Sequence, residues 1–117
     1  MSNLSKQEQR WLESILSCDF QGKSEIVQQI ENATIIRDYT RGYLSMKFDV
    51  DKSLKPVSIS RRVPVEMRVY KKNEIPLQFL LHIVHGYVDE LEIFYADSSE
   101  ITSNIDISDA ELEFITD

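Results

Sequence analysis

Two periodicities divide the chain. Up to about Asn32 the apolar residues recur at helical spacing, and from Ala33 onward they alternate. Trp11, Leu12, Ile15 and Leu16 fall on one helical stripe. Ser5-x-x-Glu8 ahead of them is a capping box, in which the serine accepts from the Glu8 amide and the glutamate reaches back. This predicts a helix over about residues 5–17. Gly22 ends the break that follows, and Ile26, Val27 and Ile30 predict a second helix over about residues 23–32. Neither is long enough to stand alone in water, so both must pack on something.

The alternating part reads as strands. Thr34, Ile35, Ile36 and Tyr39 suit a first strand, with Gly42 in the turn after it. Leu44, Met46, Phe48 and Val50 are apolar between Ser45, Lys47 and Asp49, a strand with one wet face. Residues 51–62 carry polar side chains and Pro56 and read as a loop. Val63, Val65, Met67 and Val69 give a third strand, with Pro64 near its start, where a missing N–H is tolerated. Leu77 to Val84 is the most apolar strand and should lie centrally; His85-Gly86 turns it into a strand from Tyr87 to Tyr95. The tail supports two readings. Ile101, Ile105 and Ile107 suit an edge strand, whereas Ser108-x-x-Glu111 before Leu112 and Ile115 is a second capping box.

The expected architecture is therefore one α+β domain over residues 1–117, with two N-terminal helices packed on one face of an antiparallel meander of about five strands. The length of 117 residues suits a single domain with one core. The core is expected to hold Trp11, Leu12, Ile15, Leu16, Ile26, Ile30, Met46, Phe48, Val65, Met67, Phe79, Leu81, Ile83, Leu91 and Ile93.

Charge changes the picture most. The formal net charge is −7, which argues against nucleic acid as a direct partner, since phosphate binding needs a basic footprint. The distribution is uneven: residues 41–72 hold 9 basic and 3 acidic groups, and residues 73–117 hold 11 acidic groups and no Lys or Arg. Part of this should be met internally, with Glu90 or Glu92 opposite Arg68. The remainder projects a negative field, which speeds capture of a basic partner. Arg61-Arg62, with Lys52, Lys55, Lys71 and Lys72, reads as a solubilising or edge-protecting cluster.

Catalytic and metal chemistry find little footing. His82 and His85 are three apart, so on a strand they point to opposite faces, and metal centres need more ligands. The single cysteine, Cys18, precedes Asp19, which does not favour a thiolate; a buried inert thiol is expected. With three glycines there is no P-loop and no G-x-S-x-G. No cofactor, no metal and no enzymatic activity are expected. The first residues lack a basic region followed by an apolar run, so no secretory signal is expected, and no apolar stretch approaches a membrane span. A lone thiol and no signal fit a cytoplasmic setting.

V-P-V-E at Val63–Glu66, L-L-H-x-x-x-G at Leu80–Gly86 and E-L-E-I at Glu90–Ile93, with the upstream Phe20-x-Gly22 and Ile26…Gln29-Ile30, resemble a family of small bacterial single-domain proteins of uncharacterised function. The resemblance implies a bacterial helix-plus-strand domain and assigns no catalytic residue. In size, acidity and want of catalytic groups the chain is also similar in type to the immunity proteins that bacteria pair with polymorphic or contact-dependent toxins.

The expectation that follows is an acidic, monomeric or weakly dimeric protein that binds and blocks a basic, nuclease-type toxin domain. The partner surface would comprise Glu90, Glu92, Asp97 and Glu100, with Tyr87 or Tyr95 as aromatic anchor. The alternative is a non-catalytic small-ligand module whose pocket is lined by Tyr39, Tyr43, Tyr70, Tyr87 and Tyr95.

Overall fold

The computed structural model describes residues 4–59, 61–102 and 104–116. It is an α+β fold of two helices followed by an antiparallel sheet of six strands, one more than the alternation suggested. The helices are α1 (Lys6–Ile15) and α2 (Lys23–Glu31). The strands are β1 (Thr34–Asp38), β2 (Leu44–Asp49), β3 (Val65–Tyr70), β4 (Leu77–Val84), β5 (Tyr87–Tyr95) and β6 (Glu111–Thr116). No helix among the described residues is long and apolar enough to cross a membrane.

Both arms of the capping box at Ser5 and Glu8 are formed, and α1 buries Trp11, Leu12 and Ile15. The indole of Trp11 meets Phe79 of β4 edge-on at 6.1 Å between ring centroids, and its Nε1–H donates to the Ile105 carbonyl at 3.0 Å. The helices and the inward residues of β2 to β5 thus form one core on one side of the sheet. Of the core residues expected from the sequence, Leu16 is half-buried and the others are buried.

The strand order is β1-β2-β5-β4-β3-β6, which is not a simple meander. Short turns enforce hairpins β1–β2, β3–β4 and β4–β5. The turn at His85 (φ 52°) and Gly86 (φ 85°) has both central residues left-handed, the twist that suits a two-residue hairpin. A Cβ on Gly86 would also lie 2.8 Å from Pro56 Cβ. The long connection after β2 is free to travel. It crosses the β4–β5 turn, where Val57 N–H donates to the Gly86 carbonyl at 2.7 Å, and delivers β3 to the far side of β4. β2 is thereby left to pair with β5.

The tail resolves to a strand, but not the one drawn through Ile101, Ile105 and Ile107. Those three are buried in the connection that carries the chain from β5 to the opposite sheet edge. β6 starts at Glu111 and alternates Glu111, Leu112, Glu113, Phe114 against β3. Ser108 caps no helix; its N–H donates to Asp106 Oδ1 at 2.9 Å in a turn. Period-two patterning prevailed over a four-residue cap motif.

Candidate functional site

The helices cover one face of the sheet, and the other face is built from the alternate residues of the strands. On it the registers align Ile36, Lys47, Glu90 and His82 in one row across β1, β2, β5 and β4. The next row runs Asp38, Ser45, Glu92, Leu80, Glu66, Ile115 across all six strands. A third places Phe94, Gln78, Arg68 and Glu113 side by side. The strand residues of this face include Asp38, Asp49, Glu66, Glu90, Glu92, Glu111 and Glu113 against Lys47 and Arg68. Leu80, Val84, Phe94 and Ile115 supply apolar area between the charges and stand outside the core.

Several of these charges are held in place. Ser45 Oγ donates to Glu90 Oε2 at 2.6 Å. His82 Nε2 lies 2.9 Å from Glu92 Oε1, while its Nδ1 is buried without a hydrogen-bond partner. Arg68 does not meet Glu90 or Glu92, because β4 separates β3 from β5. Its Nε bonds Glu66 Oε2 at 2.7 Å, its Nη1 lies 3.7 Å from Glu113 Oε1, and Tyr70 OH donates to the same Glu113 oxygen at 3.0 Å.

The face ends in an open cleft of about 460 Å³ where the β1–β2 turn meets the end of β5. It is lined by Arg41, Tyr43, Glu92, Phe94, Ser98, Ser99 and Glu100. Arg41 is tied to Asp38 at 2.8 Å, and Ile101 N–H donates to the Gly42 carbonyl at 2.7 Å, which fixes the two walls together. Asp97 is exposed just outside, and hydrogen bonds from Ser99 hold its carboxyl below the usual range.

The sequence-derived residues are therefore partly brought together. Glu90 and Glu92 share the open face, and Glu92 and Glu100 share the cleft. The tyrosines lie elsewhere. Tyr95 pairs with inward Leu77 and packs against the core, on the opposite side of the sheet from Glu90 and Glu92. Tyr87 is at the far end of β5, donating to the carbonyls of Lys52 (2.9 Å) and Leu54 (3.1 Å), with the Lys52 ammonium 4.6 Å above its ring. Phe94 and Tyr43 are the aromatic rings beside the acids. Phe94 follows Glu90 and Glu92 at period two on the same strand, a signal the sequence carried, whereas Tyr43 comes beside them because β2 pairs with β5.

His85 sits exposed in its turn. Cys18 is half-buried against the core, and burial pushes its thiol up from the ordinary value. Among the described residues, no three His, Cys, Asp or Glu side chains form a group suited to a metal ion. No protein-family model matches the chain, and comparison with curated proteins and with solved structures finds no match.

Proposed function

We propose that this is a non-catalytic interaction protein, of the kind that neutralises a bacterial toxin, and that its open sheet face docks a basic protein domain. The observation that carries the reading is the composition of that face: seven carboxylates against two cations, interleaved with Leu80, Val84, Phe94 and Ile115. Apolar area supplies affinity in a protein interface, and an excess of one charge selects and steers the partner. A nuclease-type toxin has a basic substrate groove, and an acidic sheet face can occupy it in place of phosphates. The cytoplasm is where such a protein would meet its toxin.

The small-ligand alternative has less support. Its tyrosines do not converge: Tyr39, Tyr43 and Tyr95 line three different clefts, Tyr70 bonds Glu113, and Tyr87 caps a loop.

The test is to co-express the chain with basic toxin domains encoded beside its gene and to measure both complex formation and rescue of growth. A stoichiometric complex that abolishes toxicity is the expected result. Toxicity unchanged, with no complex to any basic neighbour, would overturn the reading.

A further inference from the structure

The acidic face has a bare flank. β1 is an edge strand, paired on one side with β2 and, among the described residues, offering its other row of N–H and C=O groups to no strand. Edge strands are ordinarily protected by charged side chains, proline, a bulge or a covering element. Thr34-Ile-Ile-Arg-Asp38 has no proline or bulge, its two charges, Arg37 and Asp38, lie at one end and are paired within the chain, and Ile36 at its centre is 60 % exposed, the most exposed of the large apolar residues described. The opposite edge, β6, carries Glu111 and Glu113 and follows Asp106 and Asp109, a negative rim that resists pairing.

We infer that β1 is a self-association edge, which joins two copies of this chain antiparallel about a two-fold axis. This goes beyond the docking of a toxin and does not depend on it. The argument is the register. In an antiparallel pair, opposed residues share a sheet face. A two-fold perpendicular to the sheet through Ile36 is the register that pairs all five residues of β1. It sets Ile36 against Ile36 of the second copy, Thr34 against Asp38, and Ile35 against Arg37. The central opposition is apolar against apolar, the flanking ones set a hydroxyl or an apolar side chain against a charge, and none sets like charge against like. Moving the axis to Arg37 would oppose two guanidinium groups, which destabilises a cross-strand pair. Self-pairing of β6 through Glu113 would oppose two carboxylates. Joining β1 to β6 would leave an open edge at each end and grow a filament instead of closing. The charges at β1 are moreover met within each copy, Arg37 by Glu8 and Asp38 by Arg41. The product is a continuous sheet of two copies with their acidic faces on the same side.

Sedimentation velocity on the full chain, from low-micromolar to near-millimolar concentration, tests this. A monomer–dimer equilibrium is expected. It should tighten with added salt, because each copy carries −7 and screening reduces the repulsion between them. Ile36→Lys should weaken dimerisation at least tenfold, and Ile115→Lys on the other edge should leave it unchanged. Circular dichroism checks that both variants fold. As an independent reading, Ile36→Cys in a Cys18→Ser background should cross-link to a dimer under mild oxidation, while Glu113→Cys in that background should not. A chain monomeric throughout the range, a dimer indifferent to Ile36→Lys, or cross-linking through position 113 in place of 36 would each overturn the assignment.

Discussion

Gln29 Oε1 accepts the backbone N–H of Val88 at 2.8 Å, joining α2 to the start of β5 across 59 positions of sequence. The same side chain is fully buried, and its Nε2 donates to the carbonyls of Lys55 (3.0 Å) and Gly86 (3.1 Å). One amide thus ties together a helix, a hairpin turn and the long connection that determines the strand order. An amide suits this place because it has an acceptor and two donors on one planar group.

Gln29→Leu is accordingly expected to destabilise the fold by about 2–5 kcal/mol, since it takes the side-chain partner from the Val88 N–H and the Lys55 carbonyl, while the Gly86 carbonyl keeps the Val57 N–H. Gln29→Glu should do at least as much harm at neutral pH, where a buried carboxylate faces two carbonyls. It should recover part of the loss in acid, when the protonated group can donate. Urea titrations of both variants at neutral and mildly acidic pH provide the check. A Gln29→Leu midpoint equal to the parent's would show the network to be dispensable.

Glu8 predicts the acid limb of stability. Burial raises its carboxyl pKa, but hydrogen bonds from Arg37, Tyr39 and Ser5, together with the Arg37 charge, outweigh burial and hold it at about 2. Arg37 grips it with two nitrogens, Nε at 2.5 Å and Nη2 at 2.7 Å, and Tyr39 OH donates at 2.6 Å. A carboxyl depressed on folding contributes stability above its unfolded value and loses it as pH falls through the folded one. The contribution is on the order of 3 kcal/mol, present above about pH 4.5 and lost toward pH 2. Glu8→Gln should lower stability at neutral pH and flatten the decline in acid. Thermal melts of parent and variant between pH 2 and 7 would show the two curves converging; parallel curves would count against it.

Packing provides a graded expectation. Leu81 is fully buried in the centre of β4 and Leu16 is half-buried beyond α1. Leu81→Ala should cost about 2–5 kcal/mol, and Leu16→Ala clearly less. Denaturant midpoints measured side by side would reveal the opposite order if the inward face of β4 were misassigned.

How much of this was legible in the sequence depended on the range of the interaction. Ser5 and Glu8 are three residues apart and announced α1 within a residue or two of its observed limits. Leu77–Val84 and Tyr87–Tyr95 were readable because alternation and the His85-Gly86 turn are local. Strand order was not, since it depends on where a long connection lands, and that rests on Val57 and Gln29 meeting Gly86 and on Gln29 meeting the Lys55 carbonyl. One irregularity left a trace: the register shift beside His82 makes Asp89 an extra residue, so inward Val88 and Leu91 are three apart in a strand of period two. The site suffered from the same gap. Glu90 and Glu92 were visible as a pair on one face, but the cleft beside them exists because β2 pairs with β5.

The last expectation concerns Glu90 and Glu92 in the docking of a basic partner. Both are hydrogen-bonded, Glu90 to Ser45 and Glu92 to His82, so reversal to lysine would remove a contact as well as a charge. Glutamine is the cleaner substitution, because its carbonyl still accepts from Ser45 and its outline still fits beside His82. Glu90→Gln with Glu92→Gln should leave stability within about 1 kcal/mol of the parent, as solvent-facing charges contribute little to folding. Association with the basic toxin domain should become roughly 3- to 10-fold slower at low salt. The difference should shrink as salt rises, because steering by the lost charges is the quantity that salt screens. Dissociation should change less than association, since the apolar area of Leu80 and Phe94 is untouched. Stopped-flow rates at two ionic strengths separate these effects. Equal association rates for parent and variant at both would mean that the carboxylates of β5 are a solvated surface and that the partner engages another part of the sheet.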